Sequence, residues 1–405
     1  MRVTGIICEY NPLHSGHAYQ LRVARESGAD CIVLVMSGSF TERGDVAILD
    51  KYSRAEEALL SGADVVLELP YPYSAGSAEY FARAGVRILE DLSVGTLCFG
   101  SETGDGEFLR RAAEVAASDS FREAYALEGE KGTGSAAAYF SLLSAHMGVK
   151  EFGSNDVLGV EYVKAILLEN ARIEPFVIRR EGAAYHADAV TAGQHPSATA
   201  LRRAILSAES REEMIRAYET LSGLSDAAVE PFRAAIRRGS APAQYKEGFG
   251  AMLGFYRMQT PSGLSGIAEM HGGLAERICR AASDAVTVEE FLRLAATKKY
   301  TDSRVRRAIL YGMTGVREED LSRFPAFVNL LGASPRGREF LSEIRKRKER
   351  RVEIVTRPAA VLDDSKSPDF RRQAELQLRA EALYTLFLPE KEQAGVYLRS
   401  RAVMM

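Results

Sequence analysis

Short apolar runs alternate with helix-length amphipathic stretches through the first half of the chain. Val3, Ile6 and Ile7 mark a first strand. Cys31-Ile32-Val33-Leu34-Val35-Met36 is a continuous, β-branched run of the kind buried on both faces of a parallel sheet. Val65–Leu69, stopped by Pro70 and Pro72, Thr96–Phe99 and Glu174–Ile178 repeat the pattern. Helical spacing predicts helices over about Ala18–Arg25, Tyr52–Leu60 and Ala78–Leu89, a further one from Asn155–Gly159 to about Leu168, and one opening at Ser197-Ala198-Thr199. This alternation is that of an α/β protein with a parallel sheet and right-handed crossovers. Ligands of such sheets sit beyond the strand C-terminal ends, near a reversal of strand order. Glu9–His17, Ser37–Arg43, Glu68–Pro72 and Gly100–Glu102 are therefore expected to converge.

The second half reads differently. From Arg211 to Leu294 the spacing is helical, strand signals are scarce apart from Val352–Val355, and a last helix is predicted over Phe370–Leu388. The chain of 405 residues, 46% hydrophobic and 26% charged, has the length of two or three domains and the balance of a globular protein. It opens on no secretory pattern, and no apolar run reaches the ~18 residues of a membrane span. Cys8, Cys31, Cys98 and Cys279 show neither CxxC pairing nor metal spacing. The expectation is a cytoplasmic protein with reduced, mostly buried thiols and no membrane association.

Net charge changes that picture in one place. The chain carries −3, yet residues 298–351 hold 15 Lys/Arg against 7 Asp/Glu, a local +8 that includes the basic stretch Leu341–Arg351. A basic segment on an otherwise acidic chain is the footprint of a polyanionic partner, with a solvated helix face as the bland alternative.

The chemistry concentrates after the first strand. Pro12 lacks an N–H and holds Asn11 extended, so Glu9–Leu13 is a loop, and His14-Ser15-Gly16-His17 opens the next helix. Strand, tight loop and helix N-terminus form an anion site, because unpaired N–H groups and the helix dipole face the ligand. Two imidazoles there add donors to a phosphate chain and stabilise charge that builds up when an α-phosphate is attacked. Gly16 admits close backbone approach. A zinc site is rejected, since no third ligand stands at metal spacing. Ser197 is a good N-cap and, with Thr199 and Arg202, makes a second anion site; plain capping with Arg202 as a surface charge is the competing reading.

The HxGH pattern resembles the signature of the nucleotidyltransferase superfamily, which includes class I aminoacyl-tRNA synthetases and small adenylyltransferases. CEYNPLHSGH (Cys8–His17), VMSGSFTERG (Val35–Gly44), ELPYPY (Glu68–Tyr73), FGSE (Phe99–Glu102), Asn155–Val163 and SATALR (Ser197–Arg202) together resemble, in order, the tRNA(Met) cytidine acetate ligase family. The likeness continues more loosely through Lys298-Lys299-Tyr300-Thr301, Arg304, Arg307 and Ala333–Arg338. It implies a Rossmann-like, parallel-sheet nucleotidyltransferase domain over 1–208, taking ATP and acetate. A mainly α-helical, partly basic domain over 209–405 would bind elongator tRNA(Met). The implied reaction joins acetate to ATP as acetyl-adenylate, then passes the acetyl group to N4 of the wobble cytidine.

The resemblance assigns the nucleotide to Ile7, Glu9, Tyr10, Asn11, Pro12, Leu13, Gly16 and Gln20 in the first loop, to Gly100 and Asn155, and to Arg179 or Arg180. His14, His17, Ser197, Thr199 and Arg202 would act on the phosphates. Lys298, Lys299, Arg304 and Arg307 would meet nucleic acid. Mg²⁺ would arrive with ATP without a dedicated carboxylate cage. No protein partner is evident. Ser154 stands where the family commonly has Pro, and no residue stands out as the base for the transfer step. Tyr300 could stack on an unpaired base or sit in the core. Two other functions compete: a small-molecule adenylyltransferase, which leaves the helical basic half unexplained, and a non-catalytic RNA-binding protein, which leaves the intact histidines unexplained.

Overall fold

The apolar runs form strands where the pattern placed them. In a computed structural model, which describes residues 1–130, 136–180, 197–347 and 349–405, five strands run parallel: β1 (Val3–Cys8), β2 (Cys31–Ser37), β3 (Val65–Leu69), β4 (Thr96–Ser101) and β5 (Glu174–Arg179). The crossovers are α1 (Ser15–Glu26), α2 (Lys51–Leu60), α3 (Ala78–Asp91), then α4 (Gly106–Ala117), α5 (Asp119–Glu130), α6 (Ala136–Met147) and α7 (Ser154–Leu168). The spatial order β5-β4-β1-β2-β3 reverses between β1 and β4, so the crevice beyond those two strands is where such a sheet takes a ligand. Lys348 of the basic stretch lies outside the described residues.

Alternation along β1 decides which side each residue serves. Ile7 faces α3, where a Cβ on Gly85 would come within 2.5 Å of its Cδ1, so only glycine lets the helix lie this close. Ile6 faces the opposite cluster, with Leu21 of α1 and Ala55 and Ala58 of α2. β2 and β3 are buried at every position, which is why β2 opens on six apolar residues in a row and β3 is broken only by the paired Glu68.

The second half begins with α8 (Ala198–Ser207), α9 (Arg211–Ser222) and α10 (Asp226–Arg238), whose apolar faces meet around Tyr218 and Phe232. A second cluster gathers α11 (Tyr245–Arg257), α12 (Leu274–Asp284), α13 (Val288–Ala295) and α14 (Asp302–Thr314). The short α15 (Glu318–Ser322) leads into β6 (Phe327–Ala333), followed by α16 (Pro335–Arg345), β7 (Glu353–Val355), α17 (Pro368–Tyr384), α18 (Val396–Arg399) and β8 (Val403–Met404). β6 joins the edge of the first half's sheet, antiparallel to β3, and β7 and β8 pair with β6. The second half is mostly helical, as expected, but its strands complete the sheet of the first. β6 escaped the sequence pattern because Asn329 and Gly332 interrupt its apolar run. Among the described residues no helix is long and apolar enough to cross a membrane.

A buried ionic network locks the halves together. Lys51 Nζ donates to Glu68 Oε1 and Oε2 at 2.8 and 2.9 Å and to Glu381 Oε1 of α17 at 2.9 Å. Gln377 bridges both carboxylates, at 2.9 and 2.8 Å. Asn329 of β6 donates to Glu68 Oε2 at 2.7 Å. Burial works against the Lys51 charge, yet Glu381 and Glu68 together hold its pKa above the ordinary lysine value. Such networks are costly to break, because removal of one member leaves buried charge uncompensated. Lys51→Met, which strands two facing carboxylates, is expected to lose about 3–5 kcal/mol of stability, read from the shift in a urea unfolding midpoint.

Candidate active site

The loop after β1 is shaped by its own side chains. Tyr10 is buried in the left-handed region at φ 47°, and the Asn11–Pro12 peptide is cis. Asn11 Oδ1 accepts from Ile48 N–H at 2.9 Å, which ties the loop to the segment before α2. His14 is extended and its Nδ1 accepts from Gly16 N–H at 3.1 Å, capping α1. That cap starts the helix at Ser15, three residues earlier than its spacing predicts. A ring nitrogen that accepts carries no proton, so the proton of neutral His14 sits on Nε2.

His14 and His17 stack with centroids 3.8 Å apart, and His17 lies 4.7 Å from the Tyr10 ring. Burial, then the charges of His14 and Arg180, push the His17 pKa well below its ordinary value. His17 is therefore neutral at pH 7, and among the described residues its enclosed Nδ1 has no hydrogen-bond partner. His17 thus offers a hydrogen-bond donor without fixed positive charge.

Arg54 of α2 holds the strand ends in place. Its guanidinium is fully buried and donates to four carbonyls: Leu49 at 2.9 Å, Glu9 at 2.6 Å, Ser37 at 3.0 Å, and Gly38. The exits of β1 and β2 thus share one clamp. Leu13 is held from another side. The Tyr218 hydroxyl of α9 lies 2.9 Å from the Leu13 carbonyl and 3.1 Å from Glu57 Oε1. One hydroxyl proton serves one acceptor and a carbonyl cannot donate, so both bonds form only when the Glu57 carboxyl is protonated. Burial, which raises the Glu57 pKa well above the ordinary range, favours that state.

The far wall comes from β4, β5 and α7. A Cβ on Gly100 would meet Arg180 Cγ at 3.1 Å, so the Arg180 side chain runs across the exit of β4. Its Nη1 donates to Asn155 Oδ1 at 3.1 Å, and its charge reaches His17. Arg179 packs beside Gly104 instead. Of the adjacent arginines, Arg180 is the one that converges with His17, Gly100 and Asn155. Asn155 lies in the first turn of α7, where Glu102 accepts from its N–H and Nδ2 and from Asp156 N–H, the last two at 2.6 and 2.8 Å. Gln20 Nε2 donates to Cys98 O at 3.1 Å, joining α1 to β4 across the crevice.

The α8 residues divide their roles. Ser197 Oγ accepts from Ala200 N–H at 3.1 Å as an N-cap. Arg202 lies on the first loop, donating to the Asn11 carbonyl at 2.7 Å and to Thr199 Oγ1 at 3.2 Å. Ile7, Pro12 and Leu13 are inside the structure and can offer a ligand backbone only. Glu9 Oε1 accepts from Glu42 N–H at 2.8 Å. Burial first, then the Glu42 charge, raise the Glu9 pKa to about 7.

The basic candidates do not form one open face. Lys298 and Lys299 are exposed before α14. Arg304 and Arg307 are instead clamped on Glu269, at 3.0 and 2.9 Å, and Arg307 is buried. Tyr300 is a core residue, 4% exposed, with its hydroxyl donating to the Gly272 carbonyl. Sequence spacing put Arg304 and Arg307 on one helix face but could not show that Glu269, distant in the chain, occupies it. Nothing local marks Arg54, Glu57 or Tyr218 either, because their partners are remote in sequence.

A parallel sheet with its order reversed at β1/β4, and a two-histidine helix start at that reversal, define a nucleotidyltransferase of the HIGH type. A profile of the HIGH Nucleotidyl Transferase family matches residues 1–396. Within that class the chain belongs to the tRNA(Met) cytidine acetate ligase family. It is 34% identical to the protein of that name from Syntrophotalea carbinolica over 96% of this chain and 95% of the relative. It is also 34% identical to the one from Acetivibrio thermocellus over the full length of both. Among solved structures, Thermotoga maritima TmcAL superposes with TM-score 0.89 in its apo form and 0.87 when bound with alpha-thio ATP, at 30% identity over all of both chains.

Arg54→Met would leave four buried carbonyls without their donor. It is expected to cost at least about 3 kcal/mol, with Arg54→Lys intermediate because an ammonium cannot span all four; urea unfolding of both variants checks this.

Proposed function

We propose that this chain condenses acetate with ATP to acetyl-adenylate and pyrophosphate, then transfers the acetyl group to N4 of the wobble cytidine of elongator tRNA(Met). The observation that carries the reading is the stacked His14–His17 pair at the β1/β4 reversal, facing Gly100, Asn155 and Arg180, in a chain alike to acetate ligases over both halves.

The proposed roles follow from the geometry. The triphosphate lies along the loop from Glu9 to His17. His14 Nε2–H and His17 donate to oxygens that gain charge as acetate attacks the α-phosphate. Preorganised donors of this kind contribute ~2.7–4 kcal/mol each to the transition state. Arg180 and Asn155 hold the nucleoside end, and Gly100 leaves room for it. Arg202, already seated on the loop, neutralises the departing pyrophosphate. Mg²⁺ carried on the triphosphate would shield phosphate charge there.

tRNA approaches from the second half, with Lys298 and Lys299 the exposed candidates of the predicted cluster. A small-molecule adenylyltransferase would not need that half, whose strands complete the sheet here.

Two outcomes are expected. His14→Ala and His17→Ala each lower acetate-dependent pyrophosphate exchange by about 10²–10³-fold while tRNA still binds in a filter assay; unchanged exchange in both would sink the phosphate-loop assignment. Lys298→Glu with Lys299→Glu weakens tRNA binding and reduces the salt slope by about 1–2 while exchange persists. The same reversal at Arg307 would be uninformative, since it breaks a buried pair.

A further inference from the structure

The transfer step needs a base, and the strand ends present few groups that could serve. Glu68 is consumed by Lys51, Asn329 and Gln377. Both oxygens of Glu102 are taken by α7 N–H groups and Asn155. His17 lies against His14 with Nδ1 enclosed. Glu9 and Glu42 remain.

Glu9 differs from Glu42 in being aimed. Its Oε1 is anchored by Glu42 N–H at 2.8 Å, whereas among the described residues Oε2 takes no hydrogen bond and is not one of the enclosed atoms. No hydrogen bond orients the Glu42 carboxylate among the described residues. Glu9 follows β1 in the loop and lies close enough to Tyr162 of α7 for its charge to act on that hydroxyl.

We propose that Glu9 is the base that removes the N4 proton as that nitrogen attacks the acetyl carbon of the adenylate. The N4–C bond forms, the C–O bond to the phosphate breaks with its electron pair leaving on AMP, and the proton passes to Glu9 Oε2, then to solvent. The assignment rests on the acetate-ligase reading. Among the described residues the charged and titratable groups near Glu9 are Glu42 and Arg43 from the loop after β2, Arg202 from α8, Tyr162 from α7, the Cys8 thiol of β1, and Arg54 of α2, which also holds its carbonyl. Burial and Glu42 raise its pKa and Arg202 and Arg43 lower it, leaving it at about 7, where a general base works best near neutral pH. Only the ionised form accepts a proton, so transfer should rise with pH up to about 7 and then level.

The test is single-turnover transfer from preformed acetyl-adenylate to tRNA across pH 5.5–8.5, alongside acetate-dependent pyrophosphate exchange. Glu9→Gln should lower transfer relative to exchange by about 10²-fold or more and flatten the pH profile. Glu42→Gln removes the neighbouring charge but keeps the N–H anchor, so it should move the wild-type midpoint to lower pH. Equal loss of transfer and exchange in Glu9→Gln, a retained pH-dependent transfer in that variant, or an unmoved midpoint in Glu42→Gln would each overturn the assignment. Absence of acetate-dependent exchange in the wild type would instead overturn the ligase reading, and this base with it.

Discussion

A buried guanidinium with four carbonyl acceptors is the constraint on which the site depends. Strand C-terminal ends normally diverge into loops whose carbonyls face water. Here the exits of β1 and β2 are covered, and carbonyls of Glu9, Ser37, Gly38 and Leu49 point inward at Arg54. Among the described residues no carboxylate contacts Arg54 directly, and burial lowers its pKa. Its charge is stabilised by dipoles of fixed orientation, and those dipoles belong to the loops that would hold the nucleotide. Rigidity of the loop and solvation of the arginine are the same set of bonds.

Arg54 does not act alone on its helix. Lys51, Arg54 and Glu57 follow at intervals of three on α2 and are all buried. Each reaches a different part of the molecule: Lys51 the second half through Glu381, Arg54 the strand exits, and Glu57 the α9 hydroxyl that holds Leu13. A single turn-spaced row therefore couples the sheet edge, the phosphate loop and the helical half. This explains how a loop with a left-handed tyrosine stays put: neighbouring elements over-determine it.

That row also shows where sequence reading stops. Its charges have helical spacing, and by pattern alone Lys51, Arg54 and Glu57 belong on a solvated face. What buries them is α10 and α17, whose arrival depends on contacts far away in the chain. β2 was legible because burial on both faces writes itself as uninterrupted apolar residues, and the other parallel strands because short apolar runs stand between helix-length stretches. The histidine loop was legible because its chemistry needs particular residues close together in sequence. β6 was not, since a polar Asn329 with a buried partner looks like the end of a strand. The choice between Arg179 and Arg180 was also beyond sequence, because it depends on which face of β5 meets the crevice.

Tyr10 and His17 pack together just beyond β1, and Glu9 precedes them in the same loop, anchored on Glu42 N–H. In the proposed reaction, displacement at phosphorus and attack at the acetyl carbon would occur two bonds apart in the same intermediate, so one loop could serve both steps. The second half is bound into the same geometry. Arg202 sits on the Asn11 carbonyl, Tyr218 reaches the Leu13 carbonyl, and Arg307 bears on the Glu42 charge beside Glu9. Helices that approach a bound acceptor would therefore be the ones that set the shape of the loop activating the acyl group, so the two chemical steps share one rigid frame.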